Sequence, residues 1–154
     1  MQRVIYTIGT STRNIEEFIS LCRKFKLQTI VDVRRFPTSK FDHFKKDNLV
    51  LYLQKWAIKY FYLGDVLGGF REKGYEKYTC TPEFTKGIEK LKQIASKFTT
   101  AFMCAEKFPW RCHRRFIALK FVQIGWRVIH ILDEERTWEP KNKPINLGLL
   151  QKSC

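Results

Sequence analysis

Thr99-Thr-Ala-Phe-Met-Cys-Ala-Glu-Lys-Phe-Pro-Trp-Arg-Cys-His-Arg114 decides the fold. Its first five residues form an uncharged run of strand length, which reads as a buried strand. A proline-containing loop follows. A helix then starts near His113 and ends near Gly125, a residue suited to closing one. Beyond it, Val128-Ile-His-Ile-Leu132 is another apolar strand. Upstream, Thr81-Pro82-Glu83 combines a capping hydroxyl, proline at the first helical position and an acid in the first turn. Phe84, Ile88, Leu91 and Ala95 give that helix its apolar stripe. The region therefore reads helix, strand, helix, strand, and strands joined by helical crossovers pair in parallel.

The N-terminal half repeats the alternation. Val4-Ile-Tyr-Thr-Ile8 is a strand ended by Gly9, with a polar turn at Thr10-Ser11-Thr12. Ile15, Phe18, Ile19, Cys22 and Phe25 fall on one helical face, with Asn14 as cap and Glu16 and Glu17 in the first turn. Thr29-Ile-Val-Asp-Val33 is a strand that runs into Arg34-Arg-Phe-Pro37. Asp47 is expected to cap a helix through Trp56, with Leu49, Tyr52, Leu53 and Trp56 inward; Lys59-Tyr-Phe-Tyr-Leu63 reads as a strand, and Gly64 to Thr79 as a loop without periodicity. The expected fold is α/β: a single three-layer domain, residues 1–137, with a mainly parallel sheet of about five strands flanked by helices. Residues 138–154, with two prolines and little pattern, read as a C-terminal extension.

Net charge bears on partners. At +14, with a pI near 9.8, the chain attracts polyanions, and nucleic acid or a nucleotide is the first candidate. A solvated lysine surface is the other reading. No secretory signal and no membrane-length apolar run of ~18 residues is apparent, so the expectation is a cytoplasmic protein with reduced thiols and no membrane contact. The five cysteines are odd in number and lack the spacing of a disulfide framework, although a Cys104–Cys112 pairing stays open. Neither Cys-x-x-Cys nor His-x-x-x-His occurs, so no metal or cofactor is expected. Oligomeric state is not legible.

Ligands in parallel α/β sheets bind beyond the carboxyl ends of the strands. Gly9–Ser11, Asp32–Arg35, the loop after Leu63 and Cys104–Arg114 should converge there. Cys112 and His113 stand near a helix start beside Arg111, Arg114 and Arg115, a setting that favours thiolate. Cys104 reads either as a second thiol of the site or as a small apolar residue ending its strand. Glu106 and Asp32 are candidate acid–base groups, or else ion-pair partners of the arginines. Arg34, Arg35, Arg111 and Arg114 can fork onto phosphate, and Trp110 can stack on a base. Gly9 and Ser11 read first as a tight turn and second as an anion cradle at a helix start.

Together, Thr7-Ile-Gly-Thr-Ser11, Val31-Asp-Val-Arg-Arg-Phe-Pro37, Leu67-Gly-Gly69 and Cys104-Ala-Glu-Lys-Phe-Pro-Trp-Arg-Cys-His-Arg114 resemble DUF488, a family of unknown function. The resemblance implies a shared α/β fold and a shared site, and it supplies no reaction. A weaker likeness is to rhodanese domains. Val31-Asp-Val-Arg34 is similar to their Asp-x-Arg strand end, and Cys104 after a buried strand is similar to their active-site cysteine region. The loop departs from theirs in carrying Lys107, Pro109 and Trp110. Trp110 also fills the arginine position of a Cys-x-x-x-x-x-Arg phosphatase cradle.

Whether the chain is an enzyme stays open at this level. The leading expectation is an enzyme acting on a nucleic acid or nucleotide-like, phosphate-containing substrate at a carboxylate, arginine and cysteine site. The alternatives are rhodanese-like sulfur transfer through Cys104 or Cys112, and a non-catalytic nucleic-acid-binding module.

Overall fold

A computed structural model describes residues 2–140. Six strands, β1 Val4–Gly9, β2 Thr29–Asp32, β3 Lys59–Tyr62, β4 Thr100–Cys104, β5 Arg127–Ile131 and β6 Thr137–Trp138, form one sheet. The order is β3-β2-β4-β1-β5-β6. The first five strands pair in parallel, and only β6 runs antiparallel, on β5.

Helices cover both faces because the strands bury both sets of alternate side chains. On one face, Ile8, Ile30, Ala101, Met103 and Ile131 pack on α1 (Ile15–Lys24) and α2 (Lys46–Gln54). On the other, Ile5, Val31, Phe102, Cys104 and Val128 pack on α5 (Pro82–Lys97) and α6 (Arg114–Gln123). Local signals act as expected at two helix starts. The Asn14 side chain accepts from the Glu17 amide, and Thr81 accepts from the Phe84 amide. Gly125 takes the left-handed conformation, φ 89°, just beyond α6.

Three local expectations change. Asp47 is not a cap: Lys45 holds the cap position, two residues earlier, and Asp47 lies in the first turn of α2, where its charge still meets the helix dipole. Because α2 stops at Gln54, Trp56 turns outward, and the Arg23 guanidinium lies 4.2 Å over its ring. The loop from Gly64 to Thr79 contains two one-turn helices, α3 (Gly64–Leu67) and α4 (Tyr75–Tyr78). One turn is too short to carry a 3.6-residue pattern, and tertiary bonds hold it instead. The Tyr75 and Tyr78 hydroxyls donate to the carbonyls of Leu67 and Val66.

The expected C-terminal extension lies outside the described residues from 141 onward. Its first residue, Trp138, belongs to β6 and stacks on His130. No helix among the described residues is long and apolar enough to cross a membrane.

Candidate active site

Strand alternation sorts the candidate residues before any contact is considered. Residues 31 and 33 of the β2 segment face α5 and α6 with Cys104; residues 30 and 32 face the other way. Asp32 is therefore on the far side of the sheet from the cysteines. It is fully buried, and Arg34 closes on it with Nε at 2.9 Å and Nη2 at 2.8 Å. The Arg34 amide and the Tyr60 hydroxyl also donate to the Asp32 carboxylate. Arg34 Nη1 donates to the carbonyls of Phe44 and Thr38. The guanidinium and the carboxylate are spent on each other and on the backbone that follows β2.

Gly9 ends β1 under the loop that leaves β4. A Cβ at this position would stand 1.8 Å from the Glu106 carbonyl oxygen, so only glycine lets that loop lie against the strand. The next two amides, of Thr10 and Ser11, donate to the carbonyls of Cys104 and Ala105 at 2.9 and 2.8 Å. The turn thus binds the loop rather than an anion. Gly9 and Ser11 are absent from the cavity wall.

The loop brings Cys104 and Cys112 together, Sγ to Sγ 3.2 Å. Both are free thiols. Arg114, at the start of α6, is fully buried beneath them. Its amide and its Nε each lie 3.3 Å from Cys112 Sγ. Its Nη2 donates to the carbonyls of Glu106 and Lys107, which fixes the loop. Its Nη1 donates to Thr7 Oγ1 at 3.0 Å, and Thr7 shares a 2.6 Å hydrogen bond with His130 Nδ1. Thr7 and His130 are register partners in β1 and β5.

This surrounding divides the two thiols. The Cys104 hydrogen bond and then the Arg114 charge outweigh burial at Cys112 and draw its ionisation down to about 6. Burial, followed by that same hydrogen bond, pushes Cys104 well up. The two directions separate the pair: Cys112 is drawn towards the thiolate and Cys104 is held as the thiol. His113 does not supply the positive charge. Burial, reinforced by Arg114, draws its ionisation down to about 4. Its Nε2–H donates to the Val33 carbonyl at 3.0 Å, which leaves Nδ1 as the unprotonated nitrogen. Gly69 makes room for that ring: a Cβ there would stand 3.2 Å from Nδ1.

Above the thiols is a cavity of about 640 Å³. Volumes of roughly 300–1,000 Å³ are usual for small-molecule sites. Cys104, Cys112 and His113 line it together with Glu106, Arg34, Arg35, Trp110 and Arg111. Arg115, Phe36 and Phe70 also line it. Among the described residues Glu106 is the only acid in the wall, and its side chain is exposed. Trp110 stacks on Phe108, with centroids 5.0 Å apart. Among the described residues, no three His, Cys, Asp or Glu side chains converge to hold a metal ion.

Eight of the twelve expected site residues thus share one cavity, and Arg114 supports it from below. Asp32, Gly9 and Ser11 do not reach it. Sequence reasoning missed Thr7 as a partner of Arg114, and His130 as the partner of Thr7. The available signal was a polar side chain inside each of two apolar strands, Tyr-Thr-Ile and Ile-His-Ile.

The profile of a family described as Domain of unknown function DUF488 matches residues 14–120. No curated protein and no solved structure gives a significant match.

Proposed function

The chain belongs to the DUF488 family, a membership that assigns no reaction, and from its site we propose a thiol enzyme that moves sulfur through Cys112. The substrate carries phosphate and a flat, nucleotide-like ring. One observation carries the reading: Cys112 Sγ lies at a cavity wall, 3.2 Å from Cys104 Sγ and 3.3 Å from two N–H groups of a buried arginine. A thiolate so placed is a nucleophile at neutral pH. It attacks the outer sulfur of a sulfane donor such as thiosulfate. A Cys112 persulfide forms, and sulfite leaves with the electron pair of the broken S–S bond. Cys104 keeps its proton and donates it as a hydrogen bond to the anionic sulfur. The rim arginines suit phosphate, and Trp110 suits a ring.

Treatment with thiosulfate, followed by mass spectrometry of peptides, tests this. One added sulfur is expected on Cys112 and none in Cys112→Ser. The absence of an adduct on both Cys112 and Cys104 overturns the reading.

A second reading is favoured by the Glu106 side chain at the cavity mouth. There, Glu106 is the general base of an enzyme that cleaves or modifies a nucleotide-like substrate. Activity lost in Glu106→Gln but kept in Cys112→Ser selects it. Function kept in both variants selects a nucleic-acid-binding module without catalysis.

A further inference from the structure

We infer that the rim of the thiol cavity and a groove beside it bind a single-stranded nucleic acid, whose reactive unit enters the cavity. The inference rests on the thiol reading only for what happens inside the cavity. A second cavity, of about 430 Å³, adjoins the first and shares Arg35 and Phe70 with it. Among the described residues its wall carries Arg71, Lys73 and Lys77 against one acid, Glu72. Arg71 is a fixed charge: Nε and Nη2 donate to the carbonyls of Gly68 and Asp65, and the guanidinium lies 3.9 Å over the Tyr78 ring. With Arg35, Arg111 and Arg115 of the first cavity, six cationic side chains follow one continuous path.

Aromatic faces stand open along the same path. Phe70 is 84% exposed and Phe36 61%, with ring centroids 6.0 Å apart at the junction of the two cavities. Trp110, 43% exposed, stands in the wall of the first. Large rings left in water next to fixed cations match what a single strand offers, which is phosphates at intervals and unstacked bases between them. A duplex offers the phosphates but keeps its base faces stacked inside. An acidic peptide satisfies the cations and leaves the rings uncovered. A free nucleotide fills the first cavity and cannot reach Lys73 and Lys77 as well.

Fluorescence anisotropy with a labelled oligonucleotide of about ten nucleotides, within the usual site size, tests the inference. RNA and DNA single strands, the matching duplex, ATP and polyglutamate are compared across a salt series. The single strand is expected to bind tightest, with RNA and DNA arms deciding the sugar. Lys73→Ala with Lys77→Ala removes two phosphate contacts, so the slope of log affinity against log salt should fall by about 1.4, at ~0.7 per contact. Phe70→Ala should weaken the strand about fivefold or more. Alkylation of Cys112 without nucleic acid is followed in the double lysine variant and should be unchanged, which certifies the fold. Duplex or polyglutamate binding as tight as the single strand, or an unchanged salt slope, overturns the inference. Strand binding that survives when thiosulfate leaves no persulfide removes the thiol reading alone. Persulfide without strand binding removes this inference alone.

Discussion

Asp32–Arg34 and Cys112–Arg114 are the same device on opposite faces of one sheet edge. In each, a buried arginine holds an anion two residues before it in the chain. On the α1 and α2 face, the carboxylate is fully covered and receives four donor atoms in all, three from Arg34 and one from Tyr60. On the α5 and α6 face, the thiolate receives Arg114 from below and opens into a cavity. The difference teaches what burial does to an ion pair. Closed around its carboxylate, the pair holds the segment after β2. Open on one side, it leaves a sulfur facing a cavity.

The largest way to break this symmetry is Arg34→Met. It strands a buried carboxylate and should cost about 3–5 kcal/mol, read as a fall in urea midpoint. Arg114→Met should cost less, because a thiol with an ordinary value near 8.5 takes up a proton instead of staying charged. Equal losses in the two variants would refute the distinction.

Acid is the next lever. Burial depresses His113 to about 4 and His130 to about 3, below the ~6.5 of an unfolded histidine. A base depressed in the fold is stabilising above its unfolded value. Each histidine should therefore cost up to about 1.4 kcal/mol per pH unit as pH falls below 6.5 towards its folded value. Cys112 is an acid depressed in the fold, so its contribution is full above about 8.5 and is lost as pH falls to about 6. Cys104, raised in the fold, withdraws stability as pH rises past 8.5. Urea midpoints across pH should climb steeply to about 6.5, continue upward to about 8.5, and then bend down. A flat profile between 6 and 8.5 would show that Cys112 is not depressed.

A smaller effect separates the two supports of the thiolate. Cys104→Ala removes its hydrogen bond and Arg114→Met removes the charge. Each should raise the Cys112 ionisation by about one to two units, read from alkylation rate against pH. The smallest effect is remote. Thr7→Val leaves Arg114 Nη1 without its hydroxyl partner and should move the same profile by less than about one unit, with Thr7→Ser restoring it. An unmoved profile would confine the support of Arg114 to its immediate contacts.

Much of this architecture is legible in residue pattern. Thr81-Pro82-Glu83, the Asn14 cap and the apolar runs of β1, β2, β4 and β5 act locally, so they carry their signals in sequence. The centre at Cys104–Arg114 is legible for the same reason: one short segment supplies both thiols and the arginine. Grouping Asp32 with Glu106 in one crevice overlooks the alternation of β2, in which Val31 and Val33 face the thiols and Asp32 cannot. Thr7 and His130 are hidden for a different reason. Thr7 reaches Arg114 across the fold, and His130 reaches Thr7 because the sheet sets β5 beside β1; no local pattern encodes either neighbour. The helices α3 and α4 are illegible because hydroxyl-to-carbonyl bonds between the two of them, not a helical repeat, hold them.

The missing side chain of Gly9 has a consequence for anyone altering this protein. The height of the thiol loop is set from β1, at a position where a single added methyl collides with the Glu106 backbone. A library randomised at residue 9 should return glycine almost alone, even under a screen that monitors only the chemistry of Cys112. Transplanting the Cys104–Arg114 segment into another scaffold would carry the reagents without the mould that shapes them.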